Sequence, residues 1–333
     1  MLEDYQIRQI TLRYEEERRQ LVEFLGRHHL SYETDIQCAF GIFTVEDRLV
    51  GCGCAARGLL KCFAIEPELR GQNALGLLVS TLTQECFSAG YYDLFVITRN
   101  QNEFLFSSCG LSPVVRTQDL IMLENRPNGP ESFAAPFFRP GDEEKVIGAI
   151  VMNCSPFTLG HRGLVEYAAG QCDVLHLFVV EEDRSLFPTQ VRFQMVQEGT
   201  VDLPNVRVHL SGHYIISAAT FPTYFLKEDE DATELQCELD ITLFATRIAP
   251  VLHITKRFAG QEPLDPTTAR YNQTMEKILP TYGIQFHSIP RLAHQGHAIS
   301  ASWVRALLQE PGGYQQALLL VPESTRHYLK LTK

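Results

Sequence analysis

No run of about 18 apolar residues occurs in this 333-residue chain, so no segment is long enough to cross a bilayer as a helix. The opening stretch, MLEDYQIRQITLRYEEERRQ, carries charges where a signal peptide needs an apolar core, and a cytoplasmic protein without a membrane partner is expected. Positive charge is also scarce. The chain has 29 basic against 40 acidic side chains, a net charge of −11. Divided near Phe138, it has 12 basic and 18 acidic side chains in the first part and 17 and 22 in the second. Neither part has the surplus that binding to a phosphate backbone requires, which argues against a nucleic-acid partner. There is no C-x-x-C pair among the cysteines at positions 38, 52, 54, 62, 86, 109, 154, 172 and 237. Their odd number and scatter fit reduced, mostly buried thiols better than a disulfide framework or a zinc site. Cys52 and Cys54 lie two apart in LVGCGCAA, on one face of an expected strand, and read as small core residues. Internal repeats, low-complexity tracts and the Walker A pattern G-x-x-x-x-G-K-[ST] are absent as well.

What is present reads as two domains, since 45% hydrophobic and 21% charged residues describe an ordinary globular chain and its length suits two cores. Residues 125–142, NRPNGPESFAAPFFRPGD, are rich in proline and glycine and show no helical or strand period, so they are taken as a linker between domains at 1–124 and 143–333. Ahead of it the pattern is a helix at 11–29, strands at 38–45, 48–56 and 59–65, a helix at 71–89, a strand at 92–98 and a helix at 101–109, which is an α+β order. Behind it, strands at 146–152, 174–180, 206–210, 251–255 and 285–289 alternate with helices at 164–170, 189–199, 233–248 and 267–279. That alternation implies right-handed βαβ units and a parallel sheet, an α/β domain. The acidic run at Lys227–Asp231 reads as a solvated loop.

The first expected strand of the α/β domain leads into MNCSPFTLGHRG. Thr158, Leu159, Gly160 and His161 open a helix there, and its free N–H groups and dipole favour an anion. Gly160 is expected to leave room for a ligand at the backbone, and Thr158 and His161 point the same way if the turn is helical. Read plainly, Thr158 is a helix cap and His161 a surface residue. Its place at the carboxyl end of a strand in an alternating α/β domain favours the ligand site. Near the end of the chain, ISASWVR places Ser300 as an N-cap and Arg305 on the second turn of its helix. That is either a second polyphosphate clamp or an ordinary capped helix with a solvent arginine.

Together the two segments resemble the nucleotidylyltransferase superfamily, with its (H/T)-x-G-H motif after the first strand and I-S-x-x-x-x-R near the end. The stretches SGHYIISAATFPTYFLK and ITKRFAGQEP and the span around Tyr271 and Asn272 narrow the resemblance to the C-terminal domain of the citrate lyase ligase family, over most of 146–329. The resemblance implies a Rossmann-like parallel sheet and an acid–thiol ligase activity. Acetate would be activated by ATP, with Mg²⁺ assisting, to acetyl-AMP and pyrophosphate. The acetyl group would then pass to the thiol of the dephospho-CoA-like prosthetic group on the citrate lyase acyl carrier protein, the γ subunit. It implies that Thr158, Gly160 and His161 hold the ATP phosphates, with Ser300 and Arg305 opposite them. Lys227, Lys256 and Arg257 are further candidate phosphate contacts, and Glu262 a candidate for the ribose or base; each has an alternative as a surface or turn residue. Cys154, beside the motif, is not expected to be a covalent nucleophile.

The first domain, with FAIEPELRGQNALGLLVSTLTQECFSAGYYDLFVIT, is similar to GNAT acyltransferases, whose pyrophosphate loop is R-G-x-G-x-G. Arg70 and Gly71 fit that loop. Asn73 and Leu75 stand where glycines are expected, which implies a role changed to docking the CoA-like arm or the carrier protein. Two other readings remain at this stage: adenylylation of a phosphate monoester such as nicotinamide mononucleotide or phosphopantetheine, and a GNAT-type sensor with a vestigial adenylation site. An acidic chain with ATP as ligand is expected to gather its few cations into a small basic cleft.

Overall fold

The computed structural model describes residues 5–181, 185–216, 220–227, 229–261 and 265–331. They form two compact units, Met1–Gly129 with Phe221–Leu235, and Pro130–Thr220 with Gln236–Lys333.

In the first unit the elements are β1 (Tyr5–Gln9), α1 (Glu15–Arg27), β2 (Cys38–Thr44), β3 (Leu49–Ala56), β4 (Leu59–Ile65), α2 (Ala74–Ser88), β5 (Phe95–Arg99), α3 (Glu103–Ser107), β6 (Ser112–Arg116) and β7 (Leu120–Glu124). The sheet runs β1-β2-β3-β4-β5-β7-β6. All its neighbours are antiparallel except β4 and β5, which run parallel and pair only at Leu59 with Phe95. Beyond that pair the two strands are unzipped toward their carboxyl ends. The helix α1 buries Leu21, Phe24 and Leu25 against Cys52, Cys54 and Cys62, which are all wholly inside, as expected for reduced thiols.

The segment Phe221–Leu235 lies in the sequence of the expected second domain yet belongs to the first unit. Its attachments are specific. Ser31 N–H donates to the Tyr224 carbonyl at 2.8 Å, and the Thr223 N–H and hydroxyl donate to Glu33 at 2.7 and 3.0 Å. The same Glu33 carboxylate, with Asp35, holds the buried ammonium of Lys61 at 2.9 and 2.5 Å. Tyr224 is buried in the same core as α1.

The second unit continues α4 (Gly129–Ala134), β8 (Ile147–Met152), α5 (Leu159–Ala169), β9 (Val174–Val179), α6 (Thr189–Glu198), β10 (Val206–Leu210), α7 (Ala232–Leu243), β11 (Ile254–Gly260), α8 (Pro266–Ile278), β12 (Gln285–Ile289), a short hairpin of β13 (Ala293–His294) and β14 (His297–Ala298), α9 (Ala301–Gln309), α10 (Tyr314–Leu319) and α11 (Glu323–Leu331). Five strands form an all-parallel sheet in the order β10-β9-β8-β11-β12. This is a doubly wound arrangement whose order reverses between β8 and β11, where a crevice forms at the carboxyl ends. The α+β and α/β fold classes expected from the sequence are those observed.

Two expectations differ from the structure. The proline-rich segment 125–142 is not structureless: it contains α4, followed by a 3₁₀ turn at Ala135–Phe137. Phe133 packs on Tyr214, Phe137 stacks on His209 with ring centres 4.0 Å apart, and Glu131 pairs with Arg247, so its half-buried aromatic side chains anchor it to the second unit. The strand expected at 251–255 begins three residues later, because Ala249–His253 still forms the exit turn of α7, which loosens into a π-helical turn at Phe244–Ile248. The helix expected to open at Thr158–His161 does so: α5 starts at Leu159 with Thr158 as its cap, ahead of the apolar pattern at 164–170.

Candidate active site

The Thr158 hydroxyl accepts from the His161 N–H at 3.3 Å, and the Thr158 N–H donates to His161 Nδ1 at 3.1 Å. This reciprocal cap satisfies two orphan donors of α5. It also fixes the imidazole, since a ring nitrogen that accepts a backbone N–H carries no proton. The proton of the neutral ring therefore sits on Nε2. Burial, and secondarily the charge of Arg291, lowers the His161 pKa from 6.5 to about 3, so the ring is a neutral donor at physiological pH. Thr158 is wholly buried and does not line the cavity described below; it positions the histidine.

Gly160 does not hold room for a ligand. A Cβ there would lie 2.3 Å from the Ile299 carbonyl oxygen, so the space is occupied by the backbone immediately before Ser300. The two motifs thus meet backbone to backbone, about 140 residues apart in sequence. Ser300 caps α9 by accepting from the Trp303 N–H at 3.1 Å. One turn on, Arg305 Nη1 donates to the Ser155 carbonyl at 2.6 Å, a neutral partner that leaves its charge uncancelled.

These elements surround a cavity of about 270 Å³ at the carboxyl ends of β8 and β11, with His161, Arg257, Arg291 and Arg305 among its walls. The lining among the described residues includes no carboxylate. The small basic cleft expected of an acidic chain is here, although Lys256, one of its expected members, is not among the lining residues. Lys256 donates to the Gln171 carbonyl at 2.8 Å, below the strand register that leads to the cleft. Lys227 belongs to the first unit, where it is exposed. Glu262 lies outside the described residues.

Arg257 is 4% exposed and lies over the Phe244 ring at 4.8 Å. Beside it Asp240, 1% exposed, accepts from the Ile216 N–H at 2.6 Å and from the Tyr271 hydroxyl. Burial raises the Asp240 pKa from 3.8 to about 6, against the lowering effects of Tyr271, the Ile216 N–H and Arg257. Sequence reading did not single out Asp240 or Arg291; an aspartate within an apolar helix pattern, ELQCELDITLF, was the available signal for the first. Arg192, fully buried, braces the floor by donating to the Asn153 carbonyl and side chain at 2.6 and 2.7 Å and to the Val180 carbonyl at 2.7 Å. Cys154 is buried and its thiol pKa is pushed up by burial, which suppresses the thiolate a nucleophile needs.

The first unit holds a second cavity, of about 840 Å³, where β4 and β5 part. Arg70, Gly71, Asn73, Thr98, Arg99 and Phe225 are among its walls. Asn73 has φ +61°, the left-handed conformation a glycine would supply, so the turn into α2 keeps its shape with a side chain present.

Against this geometry, residues 147–329 match the family model for the citrate lyase ligase C-terminal domain. A [citrate [pro-3S]-lyase] ligase of Klebsiella pneumoniae is 40% identical over 332 residues, covering 97% of this chain and 96% of its own length. The chain belongs to the citrate lyase ligase family. The enzyme of the same name from Escherichia coli K12 is 38% identical, with coverage of 93% of this chain and 90% of its own. Among solved structures, a putative acyl-CoA N-acyltransferase from Klebsiella pneumoniae aligns with 36% of this chain and 95% of its own at 18% identity and a TM-score of 0.30. No helix of the described residues is long and apolar enough to cross a membrane.

Proposed function

We propose that the protein activates citrate lyase by acetylation, forming acetyl-AMP from acetate and ATP in the cavity of the second unit and passing the acetyl group to the prosthetic thiol of the citrate lyase acyl carrier protein. The observation that carries this reading is the neutral, tautomer-fixed His161 in a cavity walled by three arginines and, among the described residues, no carboxylate. Such a set binds an anion and stabilises charge that grows on it. Phosphoryl chemistry of this type depends mainly on positioning and electrostatics.

In the first step an acetate oxygen attacks the α-phosphorus of ATP and the bond to the bridging β-oxygen breaks. Pyrophosphate leaves with the electron pair. His161 Nε2–H, Arg305 and Arg291 are the donors for the spreading negative charge, and Ser300 and Thr158 hold the two helix ends in place. In the second step the carrier thiolate attacks the acetyl carbonyl and the C–O bond to AMP breaks, while the thiol proton goes to solvent. Among the described residues the cavity lining offers no carboxylate to hold Mg²⁺, which fits the ion as a counter-ion carried on the ATP phosphates. No step is assigned to it. The cavity of the first unit, with Arg70, Gly71 and Asn73 at the start of α2, suits the elongated CoA-like arm in volume and in its place at a helix start that no side chain of Asn73 caps.

Exchange of labelled pyrophosphate into ATP tests the reading. It is expected to require acetate, and His161→Ala is expected to lower it by about 10²-fold or more. Exchange supported only by a mononucleotide or by phosphopantetheine would overturn it.

A further inference from the structure

Arg257 differs from the other cations around the cavity. Arg305 and Arg291 stand beside the starts of α9 and α5 and donate to backbone carbonyls. Arg257 sits deeper. Its register partner on β8 is Ala149, three residues before that strand ends at Met152, roughly 10 Å below the edge where the helix ends gather. It is 4% exposed, it lines the cavity, and its buried Nη1 has no hydrogen-bond partner among the described residues. Leaving a buried guanidinium donor unsatisfied is costly, and such a group calls for an anion.

The neighbouring carboxylate does not fill this role. Asp240 is occupied by the Ile216 N–H and the Tyr271 hydroxyl, and forms no ion pair with Arg257 among the described residues. Phe244 beneath the guanidinium and Tyr271 beside it hold the fork in place. The cavity walls near this position include Val151, Ala259, Met275 and Ile289, all apolar. A triphosphate with its hydration and counter-ions is poorly matched to such walls. A small aliphatic carboxylate is well matched: one end takes a planar fork and the other takes methyl-sized apolar contact.

We propose that Arg257 receives the carboxylate that is to be activated, with Tyr271 and Asp240 as its positioning residues and Met275 as a wall that limits the length of the acid. The proposal rests on the adenylation reading above. One carboxylate oxygen is held by Nη1 while the other is left to attack the α-phosphorus, so the acid is desolvated and oriented before ATP reacts. Arg257 is thereby reassigned from a phosphate contact to a binding residue for the acid.

The test is carboxylate-dependent pyrophosphate exchange with acetate titrated, alongside direct titration of a non-hydrolysable ATP analogue. Arg257→Gln is expected to raise the KM for acetate by at least about 30-fold while the affinity for the analogue changes by less than about 3-fold, and Arg257→Lys is expected to recover part of the loss. An unchanged acetate KM, or a fall in analogue affinity by the same factor, would overturn the assignment. Met275→Ala leaves Arg257 in place. It is expected to shift kcat/KM toward propionate and butyrate relative to acetate by about 10-fold, and an unmoved preference would remove the proposed wall. If the unmodified protein shows no acetate-dependent exchange, the adenylation reading falls and this proposal with it. If it does, and only the variants behave otherwise than stated, the proposal alone falls.

Discussion

Both units make a cavity at the carboxyl ends of two neighbouring parallel strands, but they do so by different means and with different results. In the first, β4 and β5 meet at a single residue pair and then part, so the opening lies within the sheet itself and is large, about 840 Å³. In the second, β8 and β11 stay paired from Ile147 to Ile150, and the opening comes from chain connections that leave in opposite directions at the reversal of strand order; it is about 270 Å³. The most buried cations differ as well, although Arg70 at the rim of the first cavity has no ion pair among the described residues. Arg99 in the first cavity is paired with Glu230, whereas Arg257 and Arg305 in the second have no ion-pair partner among the described residues. A wide cleft with Arg70 at one end and its other arginine paired suits a long arm that carries phosphate at one end only. A small cleft with uncancelled guanidinium groups suits polyphosphate and a small acid.

The sharpest way to break this comparison is at the backbone. Gly160→Ala places a methyl 2.3 Å from the Ile299 carbonyl, where neither side can yield without moving α5 or α9. The expected loss is about 3 kcal/mol of stability in chemical denaturation, together with weaker ATP-analogue binding as His161 and Arg305 separate. A stable variant with unchanged binding would mean that the two motifs are not held by this contact.

An acid titration sharpens the comparison next, through His176 and His209 in the second core. Their rings share a hydrogen bond of 2.9 Å. Burial, with Arg207 and Arg139 nearby, lowers their pKa values to about 4 and about 3; Asp142 opposes this at His176, and His176 adds to it at His209. Both native values lie below the ordinary 6.5. The unfolded chain therefore takes up protons first as pH falls, and stability present above pH 6.5 is lost on the way down to about 4. The slope is about 1.4 kcal/mol per pH unit for each such proton. Asp240, raised to about 6, works in the other direction over part of the range. Denaturation followed against pH is expected to show a shallower slope in His209→Gln; an unchanged slope would mean that this pair does not set the acid limb.

The smallest effect is expected at Asn73. Because it already holds a left-handed conformation, Asn73→Gly is expected to change stability by no more than about 1 kcal/mol and to leave the first cavity working, whereas Asn73→Val is expected to cost about 1–2 kcal/mol and disturb the start of α2. Thermal melts of the two variants check this. Equal behaviour would show that the turn does not depend on its conformation.

Much of the second unit was legible along the chain because its signals are local. Strand and helix periods and the Thr158 and Ser300 caps of the two helix-start motifs all act within a few residues. The helix at 129–134 was hidden by its prolines and glycines, since only packing of Phe133 and Phe137 on the second core reveals that the segment is structured. The segment at 221–235 was assigned to the wrong unit for a similar reason. Nothing in TFPTYFLK states that Tyr224 will be buried with Phe24 and Cys54.

The site divides along the same line. A threonine and a histidine three apart can form a reciprocal cap with no help from the rest of the chain, so the conformation of His161 is already specified by those residues. That Gly160 serves the Ile299 carbonyl, that Lys256 lies away from the cleft, and that Arg257 meets Asp240 and Tyr271 depend on strand order and helix packing. Those contacts join residues far apart in sequence, and no short-range pattern records them. A buried cation such as Arg257 has the same letter as an exposed one. Only the surrounding fold removes its water and leaves a donor without a partner, and that makes it a place where an acid can bind.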